Sequence, residues 1–155
     1  MSIHELFDLA ILAEERMSVC YKEMSQLCQN ESVSKELMIL SKDEIDHMNL
    51  LATGKNYLKE APDIFGLKSE RITELKIGLN KITRLVEGVQ KNRVNLEEAL
   101  NDAVEIERLF EQFHLNRITE VKEPSLRSLF EALSAGDKAH KERLTKIITS
   151  FYHSS

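Results

Sequence analysis

The chain has 155 residues, 42% hydrophobic and 30% charged, which is enough for one domain with a buried core, expected to span residues 1–155. Its 26 acidic and 21 basic side chains leave a net charge of −5, offering neither the basic face that nucleic acid requires nor a polybasic membrane patch. Met1-Ser2-Ile3-His4-Glu5-Leu6 has no leader pattern and no run reaches the ~20 apolar residues of a membrane span, so a cytoplasmic protein without nucleic-acid or membrane partners is expected.

Glycine and proline number only five and two, and apolar residues at three- and four-residue steps fill the intervals between them, so the expected class is all-α. A first helix over about 3–28 carries Leu6, Leu9, Ala10, Ala13, Met17, Cys20, Tyr21, Met24 and Leu27 on one face. Its two cysteines, Cys20 and Cys28, lie roughly 12 Å apart at the helical rise. That exceeds the ~7 Å a disulfide can span, so both are expected as free thiols and any metal falls to Glu, Asp and His. The polar run Gln29-Asn30-Glu31-Ser32 ends this helix. A second follows over about 34–53, with Leu37, Leu40, Glu44, His47 and Leu51 on one face and Gly54 as its C-terminal cap. So short a turn makes the two helices antiparallel neighbours.

Residues 55–94 read as a crossover, with a loop about Pro62 and Gly66 and then a helix over about 69–91. In that helix Ile72, Leu75, Leu79, Ile82, Val86 and Val89 form a strict stripe. The stripe suits a helix packed on its own chain or a surface for a second subunit; a homo-oligomer, in its simplest form a dimer, is therefore among the expectations. The next helix, about 96–121, opens at Asn95 with Glu98 in a capping-box arrangement. The last, about 125–149, takes Pro124 in its first turn and turns Leu126, Leu129, Phe130, Leu133, Leu144 and Ile147 inward. Two hairpins joined by a long crossover result.

The two hairpins repeat. Glu14 and Glu107, Glu44 and Asp137, and His47 and His140 are each separated by 93 residues. The same shift pairs Ala10 with Ala103, Leu40 with Leu133, Ser41 with Ser134 and Leu51 with Leu144, and sets Tyr21 against His114. Glu44/His47 and Asp137/His140 stand three residues apart, so each pair reaches one point beside its helix. Inward carboxylates need partners or a metal, because an unpaired buried charge is expensive. Four carboxylates balance two divalent cations, and mixed oxygen and imidazole donors suit iron, manganese or a mixed pair. Glu111 and His114 form a third such pair, but Ser18 and Tyr21 stand opposite under the shift, so the repeat selects the other two.

At these residues the chain resembles the ferritin-like superfamily and, within it, the rubrerythrin-like proteins, whose pattern is Glu on the first and third helices and Glu-x-x-His on the second and fourth. The matching segments are Ala10-Ile-Leu-Ala-Glu14 with Tyr21, Asp43-Glu44-Ile-Asp-His47, Ala103-Val-Glu-Ile-Glu107 and Asp137-Lys-Ala-His140. The resemblance implies an antiparallel four-helix bundle holding two metal ions, iron foremost, with Glu14, Glu44, His47, Glu107, Asp137 and His140 as ligands. It further implies redox chemistry on peroxide or dioxygen, or oxidation of ferrous iron, with an external electron donor. The chain departs from the pattern in having Asp137 where Glu is usual, Val104 where rubrerythrins carry an extra glutamate, and no cysteine-rich tail.

No catalytic side chain is assigned. Glu111 reads as an added ligand or a paired surface glutamate, and Tyr21 as a partner of a ligand carboxylate or core filler. His114, about 10 Å beyond Glu107 along its helix, reads as a supporting or core residue. His4 and His153 are expected to be solvated near the ends, and Met17, Met24, Met38 and Met48 to fill the core. The rival reading is a structural or adaptor bundle in which a metal only stabilises or is absent.

Overall fold

The computed structural model describes residues 3–60 and 72–152, and its elements are all α-helices. They are α1 (Ile3–Leu27), α2 (Glu31–Glu60), α3 (Thr73–Gln90), α4 (Leu96–Glu120) and α5 (Pro124–Phe151). The expected loop about Pro62 and Gly66, the expected start of the crossover helix at 69–71, and His153 lie outside the described residues.

Helix ends follow local chemistry. Asn30 accepts the Val33 N–H at 3.1 Å and so starts α2, leaving a three-residue connection that makes α1 and α2 antiparallel. Asn95 accepts the Glu98 N–H at 2.8 Å, the cap expected of α4. At α5 the Glu123 carboxylate accepts the Leu126 N–H at 2.8 Å, with Pro124 in the first turn, where its missing N–H is not needed. Each such cap is worth about 1 kcal/mol. Asn92, in the turn from α3 to α4, holds φ at 53°, a left-handed conformation that asparagine tolerates better than most residues.

α1 lies along α2 and α4 along α5, α3 packs on both α1 and α4, and α2 meets α5. One apolar cluster draws on all five helices. The crossover stripe is spent inside the chain: Leu75, Ile82 and Val89 are buried, and Leu79 and Val86 pack against the core from its edge. Gly78 lets α3 settle onto α4, since a Cβ there would stand 2.7 Å from the Phe110 ring. No described helix is long and apolar enough to cross a membrane.

Three expectations change. The second helix does not stop at Gly54 but runs on to Glu60. Gly54 sits within it where a Cβ would meet Phe7 at 2.9 Å and Leu129 at 3.0 Å, so close packing rather than a cap explains the glycine. Leu58 beyond it is fully buried, and Lys55 pairs with Asp8 of α1 at 2.5 Å. Leu27, assigned to the inward stripe, is 48% exposed because α1 ends there. Met17 and Met24 fill the core as expected, while Met38 and Met48 are only half-buried. Both cysteines are unpaired, and burial pushes the Cys20 thiol up to about 12.

Candidate metal centre

Polar residues interrupt the core in one layer. Glu14 from α1, Glu44 and His47 from α2, Glu107 and His114 from α4, and Asp137 and His140 from α5 are all buried. The three-residue spacing works as geometry requires. His47 Nδ1 lies 3.4 Å from Glu44 Oε2 on its own helix, 3.5 Å from Glu14 Oε2 and 4.0 Å from Asp137 Oδ1. His140 Nδ1 lies 2.9 Å from Glu44 Oε1 and 3.2 Å from Glu107 Oε1. The two imidazoles stack with centroids 5.2 Å apart. The six residues selected by the 93-residue shift thus meet around one volume, each imidazole directing Nδ1 at carboxylates.

The residues around them divide by role. The Tyr21 hydroxyl donates to Glu107 Oε1 at 2.6 Å, so it supports a carboxylate of the layer rather than merely filling space. Glu111 pairs with Lys141 at 2.6 Å and stands apart from the layer. His114 Nδ1 lies 2.5 Å from Asp137 Oδ2, a hydrogen bond whose proton either atom can carry. Sequence reasoning missed that contact, and it missed Asp43, whose Oδ2 lies 3.2 Å from His140 Nε2. A carboxylate on the outer nitrogen of a histidine fixes its tautomer and aims the other nitrogen. The repeat carried no signal for Asp43, because the shift that pairs Glu44 with Asp137 pairs Asp43 with Gly136. A Cβ on Gly136 would run into His47 Nε2, so the missing side chain is what lets that ring stand there.

Electrostatics follow from crowding acids in an apolar core. Burial, then the charges of Glu14 and Glu107, raise Glu44 well above the usual carboxylate range; burial, then Glu107 and Glu14, do the same to Asp137. Burial opposes ionisation of Glu14 too, but Glu44 and the His47 imidazole outweigh it and hold that carboxyl at about 2. Burial likewise works against the imidazolium forms, yet Glu14 and Glu44 lift His47 to about 12, and Glu107 and Glu44 lift His140 to about 11. His114, with burial dominant, falls to about 4 and is neutral near pH 7. Burial, then the charges of Glu107 and Glu44, raise Tyr21 well above its ordinary value, so its hydroxyl keeps its proton.

This balance leaves atoms unserved. Glu14 Oε2, both Glu44 oxygens, His47 Nδ1, Glu107 Oε2 and Asp137 Oδ1 are buried and make no hydrogen bond. Buried polar atoms are rarely left so, and these point at one another across gaps a cation would fill. Donor atoms of Glu44, His47 and His140, and those of Glu14, His114 and Asp137, lie close enough within each trio to share an ion. The donor set is hard oxygen with imidazole, suited to divalent first-row metals. A cavity of about 260 Å³ between α2 and α5 reaches His47 and His140 from outside, past Asp43, Asp46 and Arg143. A larger groove of about 420 Å³ between α1 and α3 touches none of the donors. Compared with protein-family models, curated proteins and solved structures, the chain matches none of them.

Proposed function

We propose that α1, α2, α4 and α5 form a ferritin-like four-helix bundle around a dinuclear metal–carboxylate centre of rubrerythrin-like type, with iron as its metal and peroxide, dioxygen or ferrous iron as its substrate. One observation carries this reading: four carboxylates and two imidazoles from four helices meet in the core, with six of their polar atoms making no hydrogen bond. Glu14 and His47 would hold one ion, Glu107 and His140 the other, with Glu44 between them and Asp137 completing the set. Manganese or a mixed pair satisfies the same donors.

Held by Glu14, Glu44, His47, Glu107, Asp137 and His140, a ferrous pair would supply two-electron redox chemistry, enough with two protons to reduce one peroxide to two waters, with an external donor to restore the electrons. The chain's own residues prepare the place. Asp43 fixes the His140 ring and Tyr21 holds one Glu107 oxygen, so these donors need not reorganise on loading. The cavity beside His47 and His140, about 260 Å³, has room for a molecule the size of peroxide or dioxygen.

Anaerobic ferrous loading followed by elemental analysis tests the reading. Two irons per chain are expected in the unaltered protein, and fewer than one in a His47→Ala, His140→Ala double variant. Peroxide or oxygen should then change the optical spectrum of the loaded protein. Fewer than one iron, manganese or cobalt ion per unaltered chain would overturn the dinuclear centre. Two bound ions without oxidation would reduce the metal to a structural clamp, the rival reading.

A further inference from the structure

The repeat gives the two hairpins matching donors, but at three related positions their side chains differ, and all three differences touch the centre. Glu44 is matched by the shorter Asp137, Tyr21 by His114, and Asp43 by Gly136. Glu44 spreads its carboxylate between the imidazoles, with Oε1 2.9 Å from His140 Nδ1 and Oε2 3.4 Å from His47 Nδ1. Asp137 does not. Its Oδ2 is engaged by His114 Nδ1 at 2.5 Å, and its Oδ1 is turned toward His47 at 4.0 Å. A tyrosine at this position would carry its hydroxyl further from the backbone than an imidazole carries Nδ1. His114 instead reaches Asp137 of its own hairpin, in contact with the rings of Phe113 and Phe130 at 5.3 Å and 6.2 Å.

We propose that His114 is a positioning residue that makes the two metal positions unequal, by withdrawing one oxygen of Asp137 so that this carboxylate serves the His47 side alone. This rests on the dinuclear reading above. The His47 side then draws on Glu14, Glu44, Asp137 and His47. The His140 side draws on Glu107, Glu44 and His140, one protein donor fewer. The supports match this division: Asp43 and Tyr21 brace the donor-poor side, while the His47 ring has no hydrogen-bond partner on Nε2 among the described residues and faces the cavity beside Gly136. Contacts of this kind fix the orientation of the donors they touch.

Manganese(II) and cobalt(II) titrations of the full chain test this, read by calorimetry and by the cobalt visible spectrum. The unaltered protein should bind two ions in two resolved steps, about tenfold or more apart on the scale of such supporting effects, with two distinct cobalt environments, one of lower coordination number. His114→Phe keeps the ring volume and removes the donor, so the two steps should draw together and the low-coordinate signal should fade. His114→Asn places its amide nitrogen where Nδ1 stands and should restore the separation; thermal melting confirms that both variants fold. Two indistinguishable steps in the unaltered protein overturn the proposal, as does an unchanged separation in His114→Phe. Loss of one whole ion in His114→Phe also overturns it, since His114 would then be a ligand itself. No binding at all in the unaltered chain fails the dinuclear reading first and is recognised by that.

Discussion

Between α1 and α2 the chain is stitched by two pairs of serines. Ser18 Oγ donates to the Ser41 carbonyl at 2.9 Å and Ser41 Oγ to that of Ser18 at 2.8 Å. Ser25 and Ser34 repeat the exchange at 3.0 Å each way. In the α4–α5 hairpin the corresponding positions are Glu111 and Ser134, and Ile118 and Arg127. There the seam is aromatic instead: Phe110, Phe113 and Phe130 are buried, and Arg117, also buried, lies over the Phe113 ring at 4.8 Å and pairs with Glu120 at 3.0 Å. Yet the two hairpins deliver a glutamate, a second carboxylate and a histidine to the same layer. A hairpin seam needs only to be filled and hydrogen-bonded, which small polar or large apolar residues both achieve. Donors that share a volume with the other hairpin have no such freedom.

The sharpest way to break this correspondence is Glu44→Ala against Asp137→Ala. Glu44 reaches both imidazoles and Asp137 only one, so the first variant should load fewer than one ion per chain and the second should still load two, the His47 side more weakly, by elemental analysis. Equal losses would show that the two carboxylates act alike.

Acidity comes next. His47 and His140 ordinarily titrate at 6.5 and are raised to about 12 and about 11 in the fold. Their contribution to the metal-free protein is therefore fully present below 6.5 and is lost as pH rises toward those folded values. Glu44 and Asp137, raised by burial, act in the same sense, whereas the contribution of Glu14 is present above 4.5 and lost only as pH falls through about 2. Metal-free protein should lose stability between pH 7 and 9, by roughly 1.4 kcal/mol per pH unit for each imidazole that holds its proton; thermal melting across that range checks it. Metal competes with the same protons, so manganese affinity should rise with pH, with proton release visible as buffer-dependent binding heats. A melting temperature that climbs from pH 7 to 9 without metal contradicts the assignment.

Gly136→Ala puts a Cβ into His47 Nε2. The ring must swing, and affinity on that side should fall about 10–100-fold, seen as a change in one calorimetric step only. Tyr21→Phe removes the hydroxyl from Glu107 and should cost roughly 1.5 kcal/mol, the low end for a hydrogen bond to a charged group, in binding on the other side. Smallest of all, Glu111→Gln breaks a pair at the margin of the layer. It should move stability by no more than about 1 kcal/mol and leave loading at two ions, whereas a loss comparable to that of Glu107→Gln would make Glu111 a ligand.

Much of this was legible in the chain. Helical periodicity located five helices because a face that buries apolar groups every three or four residues has few other folds open to it. The ends at Asn95 and Pro124 were legible because capping is local. The far end of α2 was not: Gly54 resembles a cap in sequence, and only the approach of Phe7 and Leu129 shows why a glycine continues the helix. In the centre, the shift of 93 residues selected Glu14, Glu44, His47, Glu107, Asp137 and His140 over the Glu111 and His114 pair, because symmetry-related donors must sit at matching heights. It gave no sign that Asp43 would brace His140, since that contact crosses from α2 to α5 and depends on how the two helices lie together.

By itself, then, the amino-acid sequence determined most of the residues that face inward, where most helices begin, and which six polar side chains belong together, all matters of spacing along one helix or of the repeat between hairpins. Only the tertiary structure decided that the crossover stripe packs on α1 and α4, that Tyr21 reaches Glu107, and that His114 holds Asp137. These depend on distances between separate helices, which a few tenths of an ångström and one methylene can change while the pattern in the chain stays the same.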